Sequence, residues 1–531
     1  MKRFKNYFIN LICPAFVFGS ITGIFTAVIV TLYKLCAAHI IEFSEKGYDF
    51  LRGHLYLVPI LLVALLGIAF LYAFIYKKIP NLRGGGIPTS IGILRGIITF
   101  KWLRNLIGTF FLSMTTFLIG VPLGNEGPSV QMGTAIGRGT VFSFAKKHQA
   151  WDRYSMTGGA CAGFSCATGA PISGIMFAIE EAHQRISPMI IIVSCVSVMF
   201  SRITTEILAP IFNLRITLFP NMSLVSLSMK DIWIPIALGI VIGIFAVLFL
   251  RLYRIINGFL NKKLKKIPHQ YKIFAIFTVT LILGLISFSF ISTGHELIME
   301  LFEGSIAIYM LVLILLFRSV LTLCANSSSI TGGIFLPILA LGTLLSSLLG
   351  KGAQALFGFN QEYYEIILIL GITACISSMM KTPLTAIFFA VEALSCYENI
   401  LYVIIASALA FIITEIFGVK SINDSVLDTR AEEQNEGKTP KVIDTFVVVQ
   451  RGAFAIGKQI RDIFWPNNLF VLSLKHDETK SAELDEHGGK AIREGDILHV
   501  RYSTYDEAST AEELFAIVGE QSIDAREADV I

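Results

Sequence analysis

One carboxylate, Glu126, stands between glycines in the run Gly124-Asn125-Glu126-Gly127-Pro128, inside a long apolar neighbourhood. Proline suits the first turn of a helix, where its missing N–H has no intrahelical partner. Pro128 therefore predicts a helix beginning there. The residues before it then lie at a helix N-terminus, whose free N–H groups and partial positive charge attract anions. Glycine flanks let the backbone come close to a small ligand. A carboxylate tethered at that end has two behaviours open to it. It occupies the anion site and is displaced by a free anion, or it takes a proton and swings away.

The elements that must hold this group in place are membrane spans. The chain has 531 residues, of which 54% are hydrophobic and 15% charged, with a mean hydropathy of +0.68. Soluble domains run at roughly 25% charged, so the composition is that of an all-α polytopic membrane protein. A net charge of +4 says little about partners, and no basic patch marks a nucleic-acid surface. The eight cysteines, Cys13, Cys36, Cys161, Cys166, Cys195, Cys324, Cys375 and Cys396, lie in apolar stretches without metal-ligand spacing. They read as buried small hydrophobes, and no metal is expected. Met1–Lys5 is basic and leads into an apolar run without a small-residue cleavage site, the pattern of a retained first helix.

Apolar runs are read at 8–41, 55–76, 103–121, 128–144, 154–179, 186–200, 234–252, 273–291, 306–323, 333–349, 366–378, 383–394 and 400–417. Several fall short of the roughly 20 residues that a full span needs. Many are cut by Gly or Pro, and 82–88 (Leu82-Arg83-Gly84-Gly85-Gly86-Ile87-Pro88) interrupts the pattern altogether. Broken segments at membrane depth are tolerated where they line a cavity, and they point to transporter sites. Basic residues at Met1–Lys5 and at Lys262, Lys263, Lys265 and Lys266 place those regions, and the N-terminus, in the cytoplasm. The segment 213–228 is then an external loop.

The chain repeats itself. Pro171 and Pro383, Glu180 and Glu392, and Gly159 and Gly371 are each separated by 212 positions. Gly124, Pro128 and Gly133 match Gly333, Pro337 and Gly342 at a separation of 209. Two homologous halves follow, about 1–205 and 230–427, with sites where broken helices meet at their interface. Glu181 has no acidic counterpart, since Ala393 stands in its place, so Glu180 reads as architectural and Glu181 as the odd one.

Beyond Phe417 the pattern changes. Residues 428–441 read as a charged linker, 442–520 as a small α+β domain, and 521–531 as a tail. Strands are expected at 442–449 and 497–502, helices at 454–463 and 511–518, and a turn at Arg493-Glu494-Gly495-Asp496. The domain either binds a small regulatory ligand or serves to dimerise.

Gly84-Gly85-Gly86-Ile87-Pro88, Gly124-Asn125-Glu126-Gly127-Pro128 and Gly332-Gly333-Ile334-Phe335-Leu336-Pro337, in that order, resemble the motifs of the CLC family of chloride channels and proton/chloride antiporters. The resemblance spans about residues 8–427. It implies a homodimer in the lipid bilayer of the plasma membrane, both termini cytoplasmic, each subunit built of two inverted halves of tilted and re-entrant helices. It implies that Glu126 is the gating and proton glutamate, and that Glu181 sits on the internal proton-transfer glutamate. It implies chloride-binding positions at Gly85, Gly127, Ile334, Phe335 and Leu336, chiefly through backbone N–H groups. The tail more loosely resembles TrkA-type regulatory domains.

Three departures accompany the resemblance. Gly85 lacks the serine hydroxyl common at that position, leaving backbone or water to serve. Asn125 stands where a basic residue is common. Asn423 falls where the family's central-site tyrosine is expected, either donating an N–H to the anion or serving only as a polar loop residue. The resemblance implies a proton-coupled chloride antiporter that needs no cofactor. A passive chloride channel of the same fold and a fluoride/proton antiporter are the alternatives. A potassium-transport subunit, suggested only by the tail, would need a Thr-Val-Gly-Tyr-Gly type filter that the sequence does not show, and no nucleophile–base constellation or phosphate loop marks an enzyme.

Overall fold

A computed structural model describes residues 12–145, 149–220, 224–357, 361–435, 437–475, 481–483, 491–519 and 522–523. The basic start Met1–Lys5 and most of the tail 521–531 lie outside them.

The first half holds α1 (Cys13–Gly53), α2 (Val58–Lys78), α3 (Gly86–Leu94), α4 (Trp102–Ile119), α5 (Glu126–Phe144), α6 (Asp152–Thr168), α7 (Pro171–Phe177) and α8 (Pro188–Ile211). The second holds α9 (Trp233–Gly258), α10 (His269–Ile286), α11 (His295–Glu303), α12 (Ile308–Ser327), α13 (Phe335–Phe357), α14 (Tyr364–Met380), α15 (Pro383–Ala393) and α16 (Ile400–Ile416). A further helix, α17 (Ile422–Gln434), returns to the first half. Among the described residues, nine helical segments are long and apolar enough to cross a membrane.

Most expected spans are helices, with instructive differences. Helix α5 begins at Glu126 rather than at Pro128, which still leaves the proline in the first turn, where no N–H is required. The run 154–179 is two elements. Gly169 closes α6 at φ 76° and Pro171 opens α7, the usual pairing of a left-handed glycine cap with a proline start. Helices α3, α11 and α17 have no counterpart among the expected segments. Part of the expected linker 428–441 is helical, since α17 runs to Gln434. Its charges are partnered: Asp424 pairs with Arg95 at 3.1 Å, and Arg430 donates to Thr89 Oγ1 and to the Arg83 carbonyl.

The two halves are packed alike, repeat position for repeat position. A Cβ on Gly133 would stand 2.0 Å from the Gly159 carbonyl oxygen, and one on Gly342 would stand 2.7 Å from that of Gly371. Bare glycine is what lets α5 approach α6, and α13 approach α14. The two halves also cap each other. Glu392 accepts from the N–H groups of Ile172 (2.8 Å) and Ser173 (2.9 Å) at the start of α7. Glu180 accepts from those of Leu384 (2.8 Å) and Thr385 (2.7 Å) at the start of α15. Each carboxylate satisfies orphan donors of the partner half's helix.

The C-terminal domain is an antiparallel sheet of β1 (Lys441–Val448), β2 (Leu469–Lys475), β3 (Ser481–Glu483), β4 (Ile497–Thr504) and β5 (Ser522–Ile523), in the order β3-β2-β4-β1-β5. Helix α18 (Glu507–Val518) covers it over a core of Val447, Leu474, Leu498, Val500 and Leu514. The helix expected at 454–463 is instead a set of turns with one 3-10 segment at Ile460–Asp462. Gly452 and Gly457 take φ of 75° and 79° and break it. Lys458 is buried there, its Nζ 3.8 Å from the Phe454 ring centroid. Burial pushes its pKa down to about 8.

This domain docks on the start of α6 and the segment after α7. Arg153 donates to Glu513 (2.6 Å) and to the Trp465 carbonyl (2.7 Å). Tyr154 donates to the Asp462 carbonyl at 2.8 Å. The Phe464 ring stacks on His183 with centroids 4.4 Å apart.

Candidate functional site

Three glycine-rich loops converge between the halves. Gly124 and Gly333, equivalent positions of the repeat, pair in an antiparallel bridge. The Gly124 N–H donates to the Gly333 carbonyl at 2.6 Å, and the Gly333 N–H to the Gly124 carbonyl at 2.8 Å. A Cβ on Gly127 would stand 2.7 Å from Gly333 Cα, and one on Gly86 would stand 1.9 Å from the Gly127 carbonyl oxygen. These approaches exclude any side chain. They bring the N-termini of α3, α5 and α13 to one place, so that three sets of orphan N–H groups share a small volume. That is the electrostatic setting for a small anion held by backbone amides.

The expected positions Gly85, Gly127, Ile334, Phe335 and Leu336 lie on these loops and on the first turn of α13, and Glu126 is among them. Glu126 is 0% exposed. Its carboxylate curls back over its own loop, so that a Cβ on Gly124 would stand 2.4 Å from Oε2 and 2.9 Å from Leu336 Cβ. The amides nearest the carboxylate are its own and that of Leu336. Neither closes a hydrogen bond of normal geometry, and both carboxylate oxygens are without a donor. A buried carboxylate in this state gains by being protonated, or by being displaced to a better-solvated place. Phe335 stands at the repeat position equivalent to Glu126, so only one half carries the acid. Its ring meets Phe164 at 5.2 Å, and Phe164 stacks on Phe177 at 5.6 Å. This row of aromatic rings leads toward the turn that bears Glu181.

Glu181 lies in a π-helical turn, Ala178–Ala182, and is 5% exposed. Arg95 holds the turn by donating to the carbonyls of Glu181 (2.7 Å) and Ala182 (3.0 Å). The Glu181 carboxylate takes a single donor, the Asn423 side-chain amide. Asn423, expected either at the central anion site or in a polar loop, is in helix α17 and is 1% exposed. Glu180 stands apart from its neighbour, on the α15 cap.

Sequence reasoning missed four polar residues around this path. Asn326, 3% exposed, places Oδ1 3.8 Å from where a Gly85 Cβ would stand, and its Nδ2 has no partner. Arg83 and Arg430 bring positive charge to the Gly84 loop. Lys34, in α1, donates to the Cys166 carbonyl at 3.0 Å. An isolated lysine in an apolar run of α1 was the one visible signal. Among the described residues no cluster of His, Cys, Asp and Glu is arranged to hold a metal.

A family model described as voltage gated chloride channel matches residues 68–415. An H(+)/Cl(-) exchange transporter ClcA of Vibrio parahaemolyticus is 29% identical over 424 residues, covering 77% of this chain and 88% of that protein. The ClcA of Salmonella arizonae is 29% identical over 439 residues, covering 81% and 91%. The solved structure of a slow cyanobacterial Cl-/H+ antiporter superposes with a TM-score of 0.70 at 25% identity, over 80% of this chain and 99% of that one. A CLC-type fluoride/proton antiporter superposes with a TM-score of 0.61 at 20% identity, over 76% and 96%, and shows the shared fold.

Proposed function

Because the chain belongs to the voltage gated chloride channel family, we propose that it is a proton-coupled chloride antiporter of the plasma membrane. Chloride moves along the backbone amides where α3, α5 and α13 begin. Protons move between Glu126 and Glu181. The two paths share Glu126, whose protonation and displacement couple the fluxes. The observation that carries this reading is a fully buried Glu126 carboxylate, without a donor, at the meeting point of three helix N-termini. The exchange activity in the names of the two relatives supports it. Gly85, Gly127, Ile334, Phe335 and Leu336 are the proposed anion contacts.

We read the protein as a homodimer with both termini cytoplasmic, supported by the lysine run at 262–266. The C-terminal domain is read as a TrkA-type regulatory module. A crevice lined by Phe18, Trp151, Phe454 and Lys458 is the place for a small ligand. The second reading, a passive channel of the same fold, draws on the absence of a side-chain hydroxyl at Gly85, which leaves the anion more weakly held there.

The test uses purified protein in liposomes with a chloride gradient and voltage clamped by valinomycin and potassium. Chloride flow is expected to drive protons uphill. Glu126→Ala is expected to keep anion flux and stop proton flux. Chloride movement without protons in the wild type would make it a channel, and fluoride flux without chloride flux would reassign the anion.

A further inference from the structure

Asn423 and Glu181 each leave one buried oxygen without a partner, Oδ1 of the amide and Oε2 of the acid, on either side of the one hydrogen bond that joins them. An amide and a carboxylic acid complement each other across two edges. The N–H donates to one acid oxygen, and the acid O–H donates to the amide oxygen. In the ionised state only the first bond exists, and Oδ1 and Oε2 each stay buried without a donor. In the neutral state the proton on Oε2 closes the ring, and both orphan oxygens are satisfied. We propose that Asn423 is the positioning residue of the internal proton site: it fixes the Glu181 side chain and offers a partner to both its ionised and its proton-loaded forms. This rests on Glu181 being the proton relay proposed above.

The surroundings are consistent with this division of labour. Arg95, the nearest cation, spends its donors on the carbonyls of Glu181 and Ala182 and on Asp424, not on the Glu181 carboxylate. Glu180 is turned to the amides of α15. Asp424 is engaged by Arg95 and by Ser421, which donates to it at 2.9 Å. Asn423 is therefore the only side chain among the described residues that hydrogen-bonds the Glu181 carboxylate. Helix α17 brings it there because Ser421 caps the helix, its Oγ accepting from the Asp424 N–H at 3.0 Å. Asn423 is thereby fixed in the first turn, facing the π-helical turn.

Losing a hydrogen bond to an ionisable buried group is worth about tenfold or more in an equilibrium. Proton and chloride fluxes would be recorded together for the full-length wild type, Asn423→Leu and Asn423→Gln. Asn423→Leu is expected to keep chloride flux within about twofold and to cut proton flux at least about tenfold. Asn423→Gln, which retains the amide, is expected to recover part of the loss. A wild-type proton-to-chloride ratio in Asn423→Leu would overturn the proposal. So would a parallel fall of both fluxes, which would mark Asn423 as an anion ligand. Infrared difference spectra referenced to Glu181→Gln supply a second readout that does not depend on transport. The Glu181 carboxylic C=O band is expected to move to higher frequency in Asn423→Leu, and an unmoved band would refute the pairing. A wild type that moves chloride without protons would sink the antiporter reading, and the infrared arm would still decide the pairing.

Discussion

At the scale of single residues, the site is made by what side chains are not there. Gly85 and Gly86 are adjacent, yet they answer to different constraints. Gly85 has φ −69° and ψ 134°, which any residue adopts, and a Cβ there would meet the Gly332 carbonyl oxygen at 3.2 Å. Gly86 would drive a Cβ to 1.9 Å from the Gly127 carbonyl oxygen. Gly85→Ser is therefore expected to fold, since serine is also a good helix N-cap. It should strengthen chloride binding and raise chloride-over-nitrate selectivity, measured by calorimetric titration and competitive flux. Gly86→Ala is expected to lose the assembled protein, read as failure to elute as a monodisperse peak in detergent. A Gly85→Ser variant with unchanged anion affinity would place the central anion away from this loop. Much of this was legible in the sequence, because Gly and Pro carry backbone meaning wherever they stand. Asn326 and Lys34 were not legible. A polar side chain in an apolar helix declares its cost, but not which neighbour it faces.

At the scale of elements, the repeat was visible in spacing, and its consequence became visible only in three dimensions. Equal separation of Pro171 from Pro383 and Glu180 from Glu392 says that two segments are alike. It does not say that each glutamate reaches across to the other segment's first turn, as both do. Adjacent acids therefore have separable roles, and stability tells them apart. Glu180→Ala strips donors at the start of α15 of their acceptor and is expected to cost about 1–3 kcal/mol. It should lower the melting temperature in detergent. Glu181→Gln keeps an acceptor for the Asn423 amide and is expected to leave melting nearly unchanged while stopping proton flux. Equal destabilisation by both would argue that Glu181 is structural too. Boundaries were the weak part of the sequence reading. Gly169 splits what hydropathy shows as one span, and α17 hid in a charged stretch because its partners, Arg83 and Thr89, are more than 300 positions away in sequence.

At the scale of the whole molecule, the C-terminal domain is fastened to the membrane domain close to Glu181, with Phe464 on His183, two residues beyond it. The domain carries a buried cation, Lys458, whose titration is readable from outside the membrane. Lys458 has a folded-state pKa near 8, below that of a free lysine, because burial disfavours its charge. Between those two values the unfolded chain holds the extra proton, so stability rises with pH through that window. Below about 8 the burial penalty is present in full. Lys458→Met is expected to slow amide exchange in β1 and β4 at pH 7, with the advantage shrinking as pH approaches 10 and both chains become neutral there. Identical exchange of the two proteins at pH 7 would refute a charged, penalised Lys458. The strands β1 and β4 were legible from alternation. The turns at 450–463 were not, since positive-φ glycines and a buried lysine look like an ordinary amphipathic stretch.

The bridge between Gly124 and Gly333 bears on how the machine can move. Two backbone hydrogen bonds weld the halves together at the proposed anion site, and the flanking glycines leave no slack beside the weld. Rocking one half against the other, as many carriers do, would have to tear that seam at every turnover. On the proposed coupling the moving part is consequently small: a latch the size of one side chain, swinging inside a chassis that stays closed.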